Sequence, residues 1–219
     1  MECELAIILP TYSRPNRLKW IENNIREHTP NIYNLYFIVD SVDTDSIEAC
    51  KELSNLPNVY YLISEGRGSN TALNLGVKST AEPYIYTAFD DQEFTVQWYE
   101  KAKNEFIANP HAMVVGTWDY FTRQGNSGFL IKREYLEQAV IGEPGKLFHE
   151  GYKHLYSDEE FVKTAQSKNM FVHSEASVVM HHHYTMSQKY SSDATYREGE
   201  DQSLSDSHLW AERKQRFCL

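Results

Sequence analysis

The stretch Tyr84-Ile85-Tyr86-Thr87-Ala88-Phe89-Asp90-Asp91-Gln92-Glu93-Phe94 decides how the chain folds. Tyr84-Ile85-Tyr86 is short, aromatic and β-branched, the composition of a strand. It runs directly into two adjacent carboxylates, and Glu93 adds a third acid. In a parallel sheet, acids at the carboxyl end of a strand stand in the crevice where α/β folds bind their ligands. Two neighbouring carboxylates repel unless a cation or hydrogen-bond donors offset the charge. A hard divalent ion does this well, held by one or two carboxylates together with substrate phosphates. A solvated acidic turn, with an acid capping the next helix, is the competing reading.

Upstream, Leu5 to Leu9 is a continuous apolar run of strand length, stopped by Pro10-Thr11-Tyr12-Ser13-Arg14-Pro15. Two prolines so close forbid helix through the loop. Asn16 is then expected to cap a helix with Leu18, Ile21 and Ile25 at helical spacing. A second strand, Tyr36 to Val39, closes on Asp40. A helix from about Ile47 to Leu53 leads to a third strand, Val59 to Ile63. Strand, helix, strand, helix, strand at this spacing predicts parallel pairing with right-handed crossovers. Strands that are apolar throughout predict helices on both faces.

Glu65-Gly66-Arg67-Gly68-Ser69-Asn70 precedes a helix carrying Ala72, Leu73, Leu75 and Val77. Glycines at a helix N-terminus let backbone amides approach an anion, and Arg67 would add a cation for a diphosphate. A plain flexible turn explains the same residues. Downstream, the pattern predicts a helix over about Phe94 to Asn109 and strands at Met113 to Thr117 and Phe129 to Ile131. A further helix is expected at Arg133 to Val140, and another at Ser157-Asp158-Glu159-Glu160-Phe161 with Ser157 as its cap. The last strand, Phe171 to Met180, ends at His181-His182-His183-Tyr184. Residues two apart on a strand share a face, so His181 and His183 are expected to point together and His182 away. From Ser187 to Ser207 the chain turns polar and reads as an extended or partly disordered tail.

At 219 residues, with 41% hydrophobic and 24% charged residues, the chain is one ordinary globular domain, or one with an extension. The 15 tyrosines suit a chain that grips planar or sugar-like ligands, although strand lining accounts for most of them. No apolar run reaches the ~18 residues of a transmembrane helix, and no secretory leader is expected. Three distant cysteines argue against a disulfide framework and a zinc cage. Together these predict a cytoplasmic protein. A net charge of −10 disfavours broad non-specific nucleic-acid binding. The basic clusters Arg14/Arg17/Lys19, Lys132/Arg133 and Arg213/Lys214/Arg216 read as solvated faces.

The order of these features resembles the inverting family 2 glycosyltransferases, which have the Rossmann-like GT-A fold and use nucleotide sugars. Pro10-Thr11-Tyr12-Ser13-Arg14 is similar to their opening nucleotide motif, and Asp40 to the acid that contacts the base. Ala72-Leu73-Asn74-Leu75-Gly76 is similar to their Ala-x-Asn-x-Gly helix start. Asp90-Asp91 resembles the Asp-x-Asp-type metal motif, with Gln92 in place of the last acid, so Asp91 is the expected ligand. Gly128 to Arg133 resembles the acceptor-side strand. Ser157 to Phe161 resembles the helix start that supplies the catalytic base, with Ser157 where the family has Glu; Asp158 is the expected base, and Glu159 and Glu160 are its rivals. His181 and His183 fall where the family places a late metal ligand.

The likeness runs over about residues 4–184. It implies an α/β, GT-A domain at 1–186, mostly parallel in its central sheet and flanked by helices, followed by a polar C-terminal extension at 187–219. It implies a divalent metal (Mn²⁺ or Mg²⁺), a nucleotide-sugar donor with UDP favoured, and donor contacts from Pro10, Thr11, Tyr12, Arg14, Asp40, Arg67, Asn74 and Asp90. His181-His182-His183-Tyr184 and Asp193-Ala194-Thr195-Tyr196-Arg197 look like phage-encoded members, some of which decorate hydroxymethylated pyrimidines in phage DNA; a viral enzyme of this kind would work in the host cytoplasm. The alternatives are a nucleotidyltransferase, for which Arg67 is the one candidate triphosphate cation, and a non-catalytic nucleotide-sugar-binding module, which Gln92 and Ser157 leave open.

Overall fold

The apolar run near the start of the chain forms β1 (Leu5–Thr11), whose pleat sends Leu5, Ile7 and Leu9 to one layer and Ala6 and Ile8 to the other. On the first side lie α1 (Pro15–His28), α2 (Thr44–Leu53) and α4 (Trp98–Ala108). On the second lie α3 (Ser69–Ser79), α5 (Leu136–Ala139) and α6 (Ser157–Ser167). A strand covered on both faces has no polar side to show, which is why the run is uninterrupted. The computed structural model describes residues 3–66, 68–123 and 128–219.

The remaining strands are β2 (Tyr33–Asp40), β3 (Val59–Ser64), β4 (Tyr84–Thr87), β5 (Gln92–Phe94), β6 (Val114–Trp118), β7 (Phe129–Lys132) and β8 (Phe171–His181). Their order is β3-β2-β1-β4-β7-β6-β8-β5. Pairing is parallel from β3 through β4 and between β6 and β8; β7 runs antiparallel to both its neighbours, and β5 antiparallel to β8. The sheet is the helix-flanked α/β sheet expected, with the carboxyl ends of β1, β2 and β4 at one edge.

Two devices fix the central part of that edge. Gly76 lets α3 lie on β1, since a Cβ there would sit 2.3 Å from Ile8 Cγ2. Below the acidic turn, Trp98 packs against Tyr86 and Phe94 at centroid distances of 4.5 and 4.9 Å. Aromatic pairs of this kind contribute about 0.5–1.5 kcal/mol each beyond their burial. They hold the residues just before and after Asp90-Asp91.

Several local expectations are corrected. Arg14, not Asn16, holds the N-cap position of α1, without a side-chain capping bond, because Pro15 takes the first helical position, where its missing N–H costs nothing. Tyr156, in a left-handed conformation, precedes α6, and Ser157 is already helical. The helix expected from Arg133 begins as a 3₁₀ turn, Arg133–Tyr135. Gln92–Phe94, expected to lead into a helix, is a short strand.

The polar tail is not extended. It forms α7 (Ala194–Asp201) and α8 (Ser203–Phe217). Buried polar contacts dock α8, with little help from an apolar stripe. Arg213 makes two hydrogen bonds, each 2.7 Å, to the Glu160 carboxylate, and Asp206 accepts the backbone N–H groups of Lys153, His154 and Leu155 at 2.8–2.9 Å. Among the described residues no helix is long and apolar enough to cross a membrane.

Candidate active site

Asp90 and Asp91 leave β4 at the ligand edge, and both are buried. Asp90 is enclosed by donors from the first strand and helix. Thr11 Oγ1 donates to its Oδ2 at 3.1 Å and Arg14 Nη1 to its Oδ1 at 2.7 Å, while Arg17 Nη1 stands 3.7 Å away. Asp91 faces the other way. Tyr196 Oη donates to its Oδ2 at 2.7 Å, and His181 Nε2 lies 3.2 Å from Oδ1, at ion-pair distance but outside hydrogen-bond geometry. His181 arrives through the β5–β8 ladder, in which Gln92 pairs with His181 and the His182 N–H donates to Asp91 O at 2.8 Å.

The two acids are electrostatically distinct. Burial, reinforced by the Asp91 charge, pushes Asp90 up to about 6, with Arg14 opposing. Burial acts upward on Asp91 too, but His181 and the Tyr196 hydroxyl outweigh it and hold that carboxyl below the usual range. His181 is raised in turn, since the Asp91 charge overcomes the desolvation of the imidazolium.

Asp91 Oδ1 is buried without a hydrogen-bond partner among the described residues. An orphaned carboxylate oxygen beside an imidazole fits a hard divalent ion that takes further ligands from a diphosphate. Among the described residues no group of three or more His, Cys, Asp or Glu is arranged to hold a metal. The His183 ring lies 5.9 Å from that of His181, with its Nδ1 2.8 Å from Thr185 Oγ1. His182 turns away to Glu93 and Ser187, at 2.9 and 2.8 Å. Gln92, buried and standing in place of the motif's last acid, accepts the Phe89 N–H at 3.1 Å and closes the turn.

Of the donor-side residues, Pro10, Thr11, Tyr12 and Arg14 line the β1–α1 loop, and Asp40 ends β2 with Oδ1 accepting the Val42 N–H at 3.1 Å. Asn74 braces the loop at 147–150, accepting from the Leu147 and Phe148 N–H groups and donating to Phe148 O and to Glu150. Arg67 lies outside the described residues.

Other participants escaped the sequence reading. Arg17 is buried beside Arg14: Arg14 holds the N-cap position of α1 and Arg17 lies in its first turn, and both meet Asp90 and Asp193. Asp43 links the caps, accepting the Ser13 N–H at 2.6 Å and the Ser46 N–H at 3.2 Å. Asp193 and Tyr196 come from the tail, in the stretch Asp193-Ala194-Thr195-Tyr196-Arg197 whose resemblance to phage-encoded members assigns neither of them a site role.

A cavity of about 650 Å³ opens at the start of α6, lined by Trp118, Arg123, Tyr156, Asp158, Glu159 and Lys163 among others. Asp158 is exposed on the first turn of α6. Glu160 is not a rival base: its buried carboxylate is taken by Arg213 and by the Tyr152 hydroxyl at 2.6 Å.

Solved structures repeat this architecture. The chain is similar to the mannosyltransferase PcManGT from Pyrobaculum calidifontis, described in complex with GDP-Man and Mn²⁺, with a TM-score of 0.65 and 16% identity over 82% of this chain and 57% of that one. It is similar to residues 1–349 of TarS from S. aureus, with a TM-score of 0.63 and 13% identity over 83% of this chain and 60% of that one. It thus spans less than two thirds of either protein, and at these identities the likeness is one of fold, GT-A in each case. No curated protein sequence matches the chain. The model of glycosyl transferase family 2 matches residues 6–180, from β1 to the end of β8, and the chain belongs to that family.

Proposed function

We propose that the protein is a metal-dependent inverting glycosyltransferase that moves a sugar from a nucleotide sugar, a UDP-sugar foremost, to an acceptor hydroxyl. The observation that carries this is Asp91 Oδ1, a buried carboxylate oxygen without a hydrogen-bond partner among the described residues, 3.2 Å from His181 Nε2 at the ligand edge of the sheet. The family supports the reaction class, and the GDP-Man and Mn²⁺ bound to PcManGT support a nucleotide sugar and a divalent ion.

Asp91 and His181, with His183 beside them, would hold Mn²⁺ or Mg²⁺, which when bound supplies charge neutralisation for the departing nucleoside diphosphate. Pro10, Thr11, Tyr12 and Asp40 hold the nucleoside. Arg14 and Arg17 present guanidinium groups to the diphosphate, and Asp90 orients them. Asp158, at the lip of the cavity, takes the proton from the acceptor hydroxyl as that oxygen attacks the anomeric carbon. A positioned base of this type contributes about 10²–10⁴-fold. One displacement with no covalent intermediate inverts the anomeric centre.

Residues 1–186 are then the catalytic domain and 187–219 an extension, working in the cytoplasm, that of a host cell if the protein is viral. A hydroxymethylated pyrimidine in phage DNA is the proposed acceptor, on the likeness of the tail to phage-encoded members. Incubation with UDP- and GDP-sugars, Mn²⁺ and hydroxymethylated DNA tests the whole scheme. Release of a nucleoside diphosphate with a glycosylated product, lost in Asp158→Asn, is the expected result. Release of pyrophosphate, or full transfer by Asp158→Asn, would overturn it.

A further inference from the structure

Arg14 and Arg17 are largely buried, with side chains 9% exposed, yet of the two anions they share, Asp90 and Asp193, the second comes from the far end of the chain. Asp193 accepts from Arg14 Nε at 2.9 Å, from Arg14 Nη2 at 3.0 Å and from Arg17 Nη2 at 3.0 Å. A guanidinium offers this forked set of donors equally to a carboxylate or to a phosphate. The neighbouring contacts follow the same course. The Tyr196 ring covers Arg14 at 4.2 Å while its hydroxyl reaches Asp91, and the Tyr190 ring covers Arg17 at 4.0 Å. Thr195 Oγ1 donates to Tyr12 O at 3.2 Å, on the loop proposed to hold the nucleoside.

We propose that residues 190–196 are an internal occupant of the donor site, an autoinhibitory latch whose Asp193 carboxylate is displaced by the donor's diphosphate. The proposal rests on the nucleotide-sugar reading of the site. Two observations make Asp193 an exchangeable stand-in and not a permanent part of the core. Its side chain is 32% exposed where the arginines are 9%, and residues 187–193 belong to no helix or strand. One carboxylate also leaves the arginine pair incompletely satisfied: Arg17 Nη1 is buried with no hydrogen-bond partner among the described residues. A diphosphate carries more oxygens and satisfies that donor as well. Tyr196 acts at the same place, because its hydroxyl takes the Asp91 oxygen opposite the one that faces His181. Donor binding and release of the latch are therefore one equilibrium, and apparent donor affinity is reduced by the fraction of molecules that are latched.

The test uses the full chain, with UDP and inorganic pyrophosphate as probes, each with Mn²⁺. Calorimetry measures affinity in wild type, Asp193→Asn and Tyr196→Phe, and limited proteolysis measures the accessibility of residues 187–193. If nine-tenths of the molecules are latched, Asp193→Asn binds UDP up to about tenfold more tightly. Tyr196→Phe shifts affinity in the same direction, and both probes speed cleavage in wild type. Unchanged or weaker UDP binding by Asp193→Asn, or probes that protect residues 187–193, would overturn the latch and make the segment a cover that closes over the donor. Cleavage accelerated by pyrophosphate with no UDP binding in any variant would keep the latch and refute the nucleotide-sugar reading. No response to either probe would refute both.

Discussion

Asp91 and His181, far apart in sequence, meet at 3.2 Å because three residues after the acid pair form a strand that pairs with β8. The Gln92↔His181 register sets the approach, and the Glu93↔Met180 and Phe94↔Val179 pairs behind it lead back into the apolar core. Other contacts between distant parts of the chain brace the fold, and each can be broken separately.

The docking of α8 is the first. Arg213→Ala leaves the buried Glu160 carboxylate without its cation, and removing one partner of such a pair typically costs about 3–5 kcal/mol. Urea unfolding measures the loss. The double variant Arg213→Met with Glu160→Leu should recover most of it, since no buried charge is then left unpaired.

Asp206 holds the loop leading to α6 through three backbone N–H groups and touches no proposed ligand. Asp206→Ala is expected to lower kcat by up to about 10²-fold, the scale of a 1 Å misplacement of a catalytic group, while donor affinity stays near wild type. Asp206→Asn, which keeps one acceptor oxygen, should retain more of the rate. Equal losses in kcat and donor affinity for both variants would show general unfolding instead.

Glu82 ties β2 to the start of β4, accepting from Asn34 at 2.7 Å, from the Tyr36 hydroxyl at 2.8 Å and from the Ala81 N–H at 3.0 Å. Burial raises its pKa, but these donors outweigh burial and leave it below 4.5. A carboxyl depressed on folding stabilises the protein fully above its unfolded pKa, and the contribution fades as pH falls through the folded value. Unfolding free energy should therefore drop between about pH 5 and pH 3, and Glu82→Gln should flatten that part of the profile.

Gly76→Ala places a methyl group 2.3 Å from Ile8 Cγ2, against the strand that carries Thr11. Overpacking of this kind costs about 1–3 kcal/mol, read as a lowered midpoint in thermal or urea unfolding.

What the sequence reveals follows the physics of each element. The apolar strands β1, β2 and β4 and the acids that end them are legible because burial on both faces leaves an uninterrupted run. Strand β5 is too short and too polar to show a period, so the register that brings His181 to Asp91 is not legible there, and only the family resemblance pairs the two as metal ligands. Arg17 looks like a surface residue until the tail supplies Asp193. The tail looks unstructured because what orders α8 is a pair of charged contacts, and neither leaves a hydrophobic pattern. Asn74 was legible as an unusual residue on its helix, but not the loop it serves.

The central claim, that Asp91 is the metal-bearing acid of a nucleotide-sugar site, is tested most directly by calorimetric titration of UDP, with and without Mn²⁺, into wild type and Asp91→Ala. GDP serves as the second nucleotide. The account predicts Mn²⁺-dependent binding that Asp91→Ala abolishes in a protein that still unfolds cooperatively. Binding that ignores Mn²⁺, or that survives in Asp91→Ala, would contradict it.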